Sequence, residues 1–428
     1  MSGHGHHGHG GHGHHGHGDQ ATAGPGAEPA GPYMTPDKFF LLFGLITYGI
    51  GQSVLYIVFP PLVKEIGLTL QQYGWIMSIS NLVLALSAIY WGRRSDRVGR
   101  KPTLLLGLFG YAVGTLGVAL ALEWGVRGSP APWVLFGVIL FARMVYGALA
   151  SAINPAASGY MADTTSRANR ARGMALLGMT SGIGTILGPV LGGALAFVSV
   201  IFPMYAAIVL ALLAMLMLAI LLKEPERAPA PEGHELKKLS PFDPRVRAFL
   251  FLFFCFWMFF TMIQVIIAFL LADQIGIEGP GKVAQATSTA LMSMAICATF
   301  MQLVVIQKMN ITPRTMLRLG LPAFALAMGA LLLATNIYMV WVSFSLFGIA
   351  LALSNPGITG GASLMVEPHE QGALGGLFSA APILGMAVGP VLGSTLYAQV
   401  SMQMPMIVGV VAFVLLSVYA FALKVPEK

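Results

Sequence analysis

The sequence predicts an all-α membrane protein in which twelve transmembrane helices form two similar six-helix bundles. Three observations support this fold class: an apolar composition, twelve hydrophobic runs and an internal repeat. Of the 428 residues, 56% are hydrophobic and only 10% are charged, and the mean hydropathy is +0.76. Soluble domains carry about 25% charged residues, so the composition excludes an ordinary soluble protein.

Twelve apolar runs of about 20 residues are long enough to cross a bilayer. They predict helices over residues 38–62, 72–92, 102–122, 132–156, 172–198, 200–222, 247–272, 283–306, 314–335, 337–358, 370–398 and 401–424. A polar, proline-rich segment separates the first six runs from the last six. We therefore expect a tail over 1–37, bundles over 38–222 and 247–424, a linker over 223–246 and a short tail over 425–428.

Lysine and arginine are distributed unevenly between the two sides of these helices. With a cytoplasmic N-terminus, 20 of the 24 basic residues lie in cytoplasmic segments, Lys64, Arg127 and Lys282 lie outside, and Arg143 lies within a helix. This bias fits the positive-inside rule. It predicts a multi-pass protein of a cell membrane, expected to be a bacterial inner membrane, with both termini in the cytoplasm. The net charge of +7 then reflects topology, and no nucleic-acid partner is predicted.

The two halves share a repeated pattern. Asn154-Pro155 recurs as Asn355-Pro356, and the Gly-x-x-x-Gly-Pro-Val-Leu-Gly run of 184–192 recurs at 385–393, each pair 201 residues apart. A parallel repeat of six helices predicts two similar bundles with a binding site between them near the membrane midplane.

Several motifs resemble those of a known family. The stretch GRRSDRVGRKP (92–102) resembles the signature loop between helices 2 and 3 of the major facilitator superfamily, and Arg143-x-x-Tyr146-Gly147 is similar to its fourth-helix motif, with Tyr in place of Gln. The stretch 182–193 resembles a fifth-helix motif of exporters, and 160–173 is similar to tetracycline-type drug/proton antiporters. The resemblance covers about residues 38–424. It implies the major facilitator fold, alternating access, export driven by a proton gradient and no cofactor.

The resemblance also implies a gating role for the signature loop, with Asp96 latching onto the start of helix 11 near Gly372. Asp163 is the expected partner of Arg97 or Arg100. The implied gating residues are Gly92, Asp96, Arg97, Gly99, Arg100, Lys101 and Asp163. The alternative is that the basic residues only set topology.

The fifth-helix motif consists of Gly184, Gly188, Pro189, Gly192 and Gly193. Glycines at i, i+4 and i+8 share one helix face and allow close helix contact, while proline bends a helix. Packing alone is the alternative role of these glycines.

Arg143 is the only charged side chain expected at membrane depth, where a charge costs about 2.5–3.5 kcal/mol on insertion scales and marks a functional path. Candidate substrate and coupling residues are Arg143, Tyr146, Tyr48, Gln52, Tyr56, Asn81, Gln264 and Ser293. All seventeen Asp and Glu residues fall in tails, loops or helix ends, so no mid-membrane carboxylate is offered to a proton. These features predict a small anionic or amphiphilic organic substrate, although each polar residue could instead make an interhelical hydrogen bond.

The N-terminal tail contains GHGHHGHG twice. Its histidines could bind Zn, Ni or Cu, and the candidate ligands are His4, His6, His7, His9, His12, His14, His15 and His17. A passive low-complexity tail or an expression tag is the alternative.

The chain offers no catalytic cluster, so we do not expect an enzyme. Cys255 and Cys297 both lie in apolar runs and indicate no disulfide framework. The expected partners are a small-molecule substrate and the lipid bilayer, and the protein is expected to act as a monomer. Import of an organic anion or metallophore stays open, as does a receptor that transports nothing.

Overall fold

The computed structural model describes residues 35–165, 170–225, 239–309, 311–367 and 370–423. Its helices are α1 (Pro36–Leu62), α2 (Leu70–Val98), α3 (Arg100–Gly128), α4 (Pro132–Asp163), α5 (Arg170–Leu195), α6 (Phe202–Leu221), α7 (Arg247–Asp273), α8 (Pro280–Ile306), α9 (Pro313–Leu332), α10 (Ile337–Ser363), α11 (Gln371–Gln399) and α12 (Met404–Ala422). The prediction of an all-α protein with twelve helices is therefore confirmed for the described residues.

Eleven of these helices are long and apolar enough to cross a membrane, and α5 adds a shorter apolar stretch over Ile186–Leu195. Helix α4 is interrupted at residues 151–152, after Ala150. Helix α8 ends in a π-helical segment, Met301–Ile306.

The helices pack in two sets that follow the chain order. In the first set α1 packs on α5 and α6, α3 on α4 and α6, and α2 on α4. In the second set α7 packs on α11, α8 on α10, and α9 on α10 and α12. Between the sets, α2 packs on α11 and α5 packs on α8.

Within each set, successive helices run in opposite directions because the connections between them are short. We call the end of the molecule that carries Pro36, Val98 and Arg100 the N face. The end that carries Leu62, Leu70 and Asp273 is the far face.

The signature segment 92–102 is helical, whereas the sequence predicted a loop. Helix α2 continues to Val98, Gly99 alone breaks the helix, and α3 begins at Arg100. Hydropathy detects only the apolar part of each helix, and arginine and lysine are good helix formers that extend it beyond the bilayer. Gly99 has φ +124°, a conformation that favours glycine, so the sharp turn falls at this position.

The N-terminal tail with the candidate ligands His4–His17, most of the linker and the tail 425–428 lie outside the described residues.

Candidate functional site

The main cavity lies between the two sets of helices and has a volume of about 400 Å³. Its polar wall comes from five helices: Tyr48, Gln52, Ser53 and Tyr56 of α1, Asn81 of α2, Asn154 and Ser158 of α4, Thr180 of α5, and Gln264 of α7. Pro189 of α5 also lines the cavity. Asn154 and Ser158 belong to the last turns of α4, so the cavity extends from mid-helix toward the N face.

Three of the predicted site residues lie on one face of α1. Tyr48, Gln52 and Tyr56 all line the cavity, because residues four apart lie on one helix face. Two of these side chains also contact each other, since Gln52 Nε2 donates to Tyr48 Oη at 2.8 Å. Of the other predicted site residues, Asn81 and Gln264 also line the cavity.

Three predicted site residues lie outside the cavity wall: Arg143, Tyr146 and Ser293. The Ser293 hydroxyl donates to the carbonyls of Ala290 at 2.8 Å and Trp341 at 3.3 Å, which joins α8 to α10. Its contacts are those of an interhelical hydrogen bond, the alternative that the sequence left open.

Sequence reasoning missed the aromatic part of the wall. Trp257 and Phe260 of α7 line the cavity, with their ring centroids 5.4 Å apart in an edge-to-face arrangement. Aromatic residues occupy every side of α7, so its sequence carries no signal for the face that meets the cavity. For Asn154 a signal existed, because it belongs to the repeated Asn-Pro pair.

Arg143 lies behind α1, in a small chamber of about 10 Å³ that adjoins the main cavity. Gln52 lines both spaces. Arg143 is 3% exposed, and its guanidinium Cζ lies 4.3 Å from the centroid of the Tyr146 ring. The space beside Gly147, one turn on from Arg143, is filled by α2, since a Cβ on Gly147 would lie 2.7 Å from the Ser80 carbonyl oxygen.

Two tyrosines, Tyr111 and Tyr146, line the chamber, and Tyr48 of the main cavity packs against Tyr111. The ring centroids of Tyr48 and Tyr111 are 5.7 Å apart, and those of Tyr111 and Tyr146 are 5.8 Å apart. Tyr111 Oη, Tyr146 Oη and Arg143 Nε are buried without a protein hydrogen-bond partner in the described part of the chain. The hydroxyls of Tyr48 and Thr115 lie beside those of Tyr146 and Tyr111 without the geometry of a hydrogen bond.

The glycines of the fifth-helix motif face α1. A Cβ on Gly184 would lie 2.7 Å from the Cα of Gly49, and a Cβ on Gly192 would lie 2.9 Å from Ile57 Cδ1. Gly188 packs in the same way against Ser53. Small residues at this spacing let two helix backbones approach closely.

The remaining two residues of the motif contact the second set of helices. The Ser288 hydroxyl of α8 donates to the Pro189 carbonyl, and Gly193 packs on the same serine. The repeat has matching contacts, since Gly385 and Gly389 of α11 face α7 while Ser394 faces Gly74 of α2.

The α2–α3 junction forms a charged cluster at the N face. Arg100 pairs with Asp96 of α2 at 2.6 Å and with Asp163 of α4 at 2.9 Å. Glu224, just after α6, accepts from the backbone N–H groups of Arg100 at 2.6 Å and Lys101 at 2.8 Å. A carboxylate at a helix N-terminus accepts from otherwise unpaired N–H groups and interacts favourably with the helix dipole. The cluster therefore ties α2, α3, α4 and the start of the linker together.

The far face is closed by contacts between the two sets of helices. We call Lys64, Tyr73, Phe269, Asp273 and Tyr397 the outer seal. Lys64 Nζ pairs with Asp273 Oδ1 at 2.5 Å, Tyr397 Oη donates to Asp273 Oδ2 at 2.9 Å, and the rings of Tyr73 and Phe269 are 6.3 Å apart.

The closure continues inward along α2 and α11. Val391 N donates to Ser78 Oγ at 3.1 Å, and Asn81 Nδ2 donates to the Met386 carbonyl at 2.9 Å. The cavity begins at Asn81 and Met386. This geometry is closed at the far face and opens toward the N face.

Comparisons with known proteins agree with this architecture. A family model described as Major Facilitator Superfamily matches residues 41–311 and 304–428. The class G tetracycline resistance protein of Vibrio anguillarum is 29% identical over 372 residues, which are 84% of this chain and 89% of that protein. The class C tetracycline resistance protein of Escherichia coli is 31% identical over 46% of this chain and 48% of its own length. The quinolone resistance protein NorA of Staphylococcus aureus is 26% identical over 46% of this chain and 47% of its own length.

Solved structures share the fold at low identity. A bacterial homologue of the human lysosomal transporter Spinster, in an inward-facing and unoccupied conformation, aligns with a TM-score of 0.70 at 15% identity, covering 91% of this chain and 97% of that one. The human organic anion transporter MFSD10 aligns with a TM-score of 0.63 at 18% identity, covering 90% of this chain and all of that one.

Proposed function

Because this chain belongs to the major facilitator superfamily and is therefore a membrane transporter rather than an enzyme, we propose that it exports an amphiphilic organic molecule by alternating access. The observation that carries the proposal is the cavity between the two sets of helices, open toward the N face and closed by the outer seal. With the N face in the cytoplasm, as the positive-inside rule favours, this geometry is ready to accept a substrate from inside the cell.

The cavity wall favours a ring-bearing substrate with several polar groups. Trp257, Phe260 and the tyrosines of α1 offer aromatic surfaces, while Gln52, Asn81 and Gln264 offer amide donors and acceptors. Pockets of this kind hold organic molecules through apolar contact and use a few polar groups for orientation. No charged residue of the described chain lines the cavity, so an uncharged or weakly charged molecule suits it. The resistance proteins to tetracycline and quinolones share this chain's sequence pattern, which supports export.

We propose that protons drive export and that the proton is exchanged on the substrate itself. The described carboxylates lie at helix ends, and the cavity wall contains no Asp, Glu or His. If the substrate releases its proton into the cytosol before it crosses as the anion, and takes up a proton outside after release, each exported molecule moves one proton equivalent inward without a carrier carboxylate.

The experiment is a screen of tetracyclines, quinolones and other amphiphiles in proteoliposomes with a pH-sensitive dye inside. We expect substrate-dependent proton movement whose pH profile follows the pKa of each substrate. Gln264→Ala and Trp257→Ala should raise KM several-fold, whereas Ser293→Ala, outside the cavity wall, should leave KM unchanged. Proton movement with a pH profile that is the same for all substrates would contradict exchange on the substrate. Absence of flux for every class would contradict the proposed export.

A second candidate function is transport of an organic anion in either direction. The observation that favours it is the buried guanidinium of Arg143 behind Gln52, since a planar guanidinium suits a carboxylate. Organic acids and metallophores belong in the same screen. Transport of a carboxylate would favour this candidate over the amphiphile, provided that Arg143→Gln abolishes that transport and that chloride leaves its rate unchanged.

A further inference from the structure

Three buried hydrogen-bond donors converge on the small chamber behind α1. Arg143, Tyr111 and Tyr146 are 3%, 1% and 2% exposed. Arg143 Nε and both tyrosine hydroxyls have no protein hydrogen-bond partner in the described part of the chain. Buried polar groups are almost always hydrogen-bonded in folded proteins, so three unsatisfied groups around one chamber point to a small ligand.

The chamber also carries an unbalanced positive charge. No described Asp or Glu lines it, and the described ion pairs do not include Arg143. The Tyr146 ring supplies only a cation–π contact. A buried charge is normally paired or bound to a counter-ion, and the side chains of Thr115 and Tyr111 add neutral hydroxyls to the same wall. A ligand that only accepts hydrogen bonds and carries one negative charge would satisfy every one of these groups.

We propose that this chamber binds one small monovalent inorganic anion of the size of chloride, held by Arg143 with the hydroxyls of Tyr111 and Tyr146. A volume of about 10 Å³ corresponds to about one water-sized sphere. It therefore has no space for sulfate or for a whole organic anion, whose body would have to lie in the main cavity. The site is separate from the transport cavity and is reached past Gln52, which lines both spaces and donates to Tyr48.

The test is the thermal unfolding of the purified full-length protein in sodium chloride, bromide, sulfate or gluconate at equal ionic strength. A ligand that binds only the folded state raises the unfolding midpoint saturably with its concentration. For the wild type we expect chloride and bromide to raise the midpoint by about 2–4 °C over gluconate, with sulfate behaving like gluconate.

Matched variants place the effect at the chamber. Arg143→Gln should remove the halide response, while Arg127→Gln removes an equal charge from an exposed side chain and should keep it. If Arg143→Gln does not fold, Tyr111→Phe retains the charge and removes one donor, and it should raise the chloride concentration needed for half of the effect several-fold. Equal midpoints of the wild type in chloride and gluconate would overturn the proposal in favour of a bound water. A full halide response in Arg143→Gln, or in Tyr111→Phe where Arg143→Gln does not fold, would overturn it in favour of general salt stabilisation.

Discussion

At the scale of single residues, Arg143 combines a high cost of burial with few direct interactions. Leaving a buried charge without a partner costs about 3–5 kcal/mol, while a cation–π contact such as that with Tyr146 returns about 0.5–2 kcal/mol. A residue that only joined helices would be replaced by a neutral one at little loss. On this balance we propose that Arg143 acts in transport.

We predict that Arg143→Ala abolishes transport while the protein still inserts in the membrane. Arg143→Lys should restore little activity, because lysine lacks the planar fork that can reach several acceptors at once. Initial transport rates in proteoliposomes measure the effect, and Arg127→Ala serves as the control for loss of a positive charge. Full transport with unchanged affinity in Arg143→Gln would show that the residue has a purely structural role.

Part of the candidate site could be predicted from the sequence, because the positions of these residues depend only on their spacing along one helix. Tyr48, Gln52 and Tyr56 share a face by spacing alone, and all three line the cavity. The position of Arg143 behind α1 could not be predicted, since it depends on how α4 is rotated against α1 and α3. That rotation is fixed by close contacts such as that of Gly147 with α2, which no single-helix pattern encodes.

At the scale of helices, α1 and α5 cross closely in the first set. The glycines of α5 meet Gly49 and Ser53 across an interface without room for a methyl group. The i, i+4, i+8 spacing of the glycines predicted that they share one face of α5. That spacing could not predict that α1 is the helix that packs on this face. The contact makes α1 and α5 a single packed unit.

We predict that Gly184→Ala destabilises the protein by about 1–3 kcal/mol, as overpacking of a filled contact does, because the added Cβ would meet the backbone of Gly49. The matched control is Gly137→Ala in α4, where a Cβ would meet nothing within 4 Å. Thermal unfolding in detergent should show a lowered midpoint only for Gly184→Ala. Equal midpoints for the two variants would contradict the close crossing of α1 and α5.

Glu224 adds a second constraint at this scale, because its carboxylate caps the start of α3. Glu224→Ala leaves two exposed helix donors to water, so the loss should be at most the net contribution of about 1.5–3 kcal/mol that a hydrogen bond to a charged group makes. We predict a lowered unfolding midpoint, with exposed Glu278→Ala as the control. An unchanged midpoint would show that water replaces the cap at no loss. The sequence could not predict this contact, since Glu224 lies 124 positions from Arg100.

At the scale of the whole molecule, the two sets of helices touch at the far face and diverge toward the N face. Five contacts make the closure, three in the outer seal and two along α2 and α11, and the ion pair of Lys64 with Asp273 is its charged part. The sequence predicted two similar bundles from the 201-residue repeat. It did not predict which end is closed, because both states use the same helices.

We predict that Lys64→Gln shifts the protein toward the state open at the far face. Exposed ion pairs contribute about 0.2–1 kcal/mol, so the population of that state should rise roughly one-and-a-half- to fivefold. The measurement is labelling of Met386→Cys, in a background without Cys255 and Cys297, by an impermeant thiol reagent added outside intact cells. Lys282→Gln, at an exposed position of the same face, is the control. Faster labelling in both variants would show a general charge effect.

We also predict the orientation of the molecule in the membrane. Cysteines placed at Ser129 and Gly279, on the far face, should react with an impermeant reagent in intact cells, and a cysteine at Ser240 should react only after permeabilisation. The reverse pattern would place the N-terminus outside and invert the direction of transport proposed above.

The exposure of the Lys64–Asp273 pair makes the closure of the far face sensitive to the ionic strength at that face. The lysine side chain is 58% exposed and the aspartate 34%, and at physiological ionic strength charges are screened over about 8 Å, a length that shortens as salt rises. A high salt concentration at the far face would weaken this ion pair, whereas the aromatic contacts of the outer seal would be unaffected. At low ionic strength more molecules without substrate would hold the cavity open toward the N face, and at high ionic strength a larger share would hold it open toward the far face.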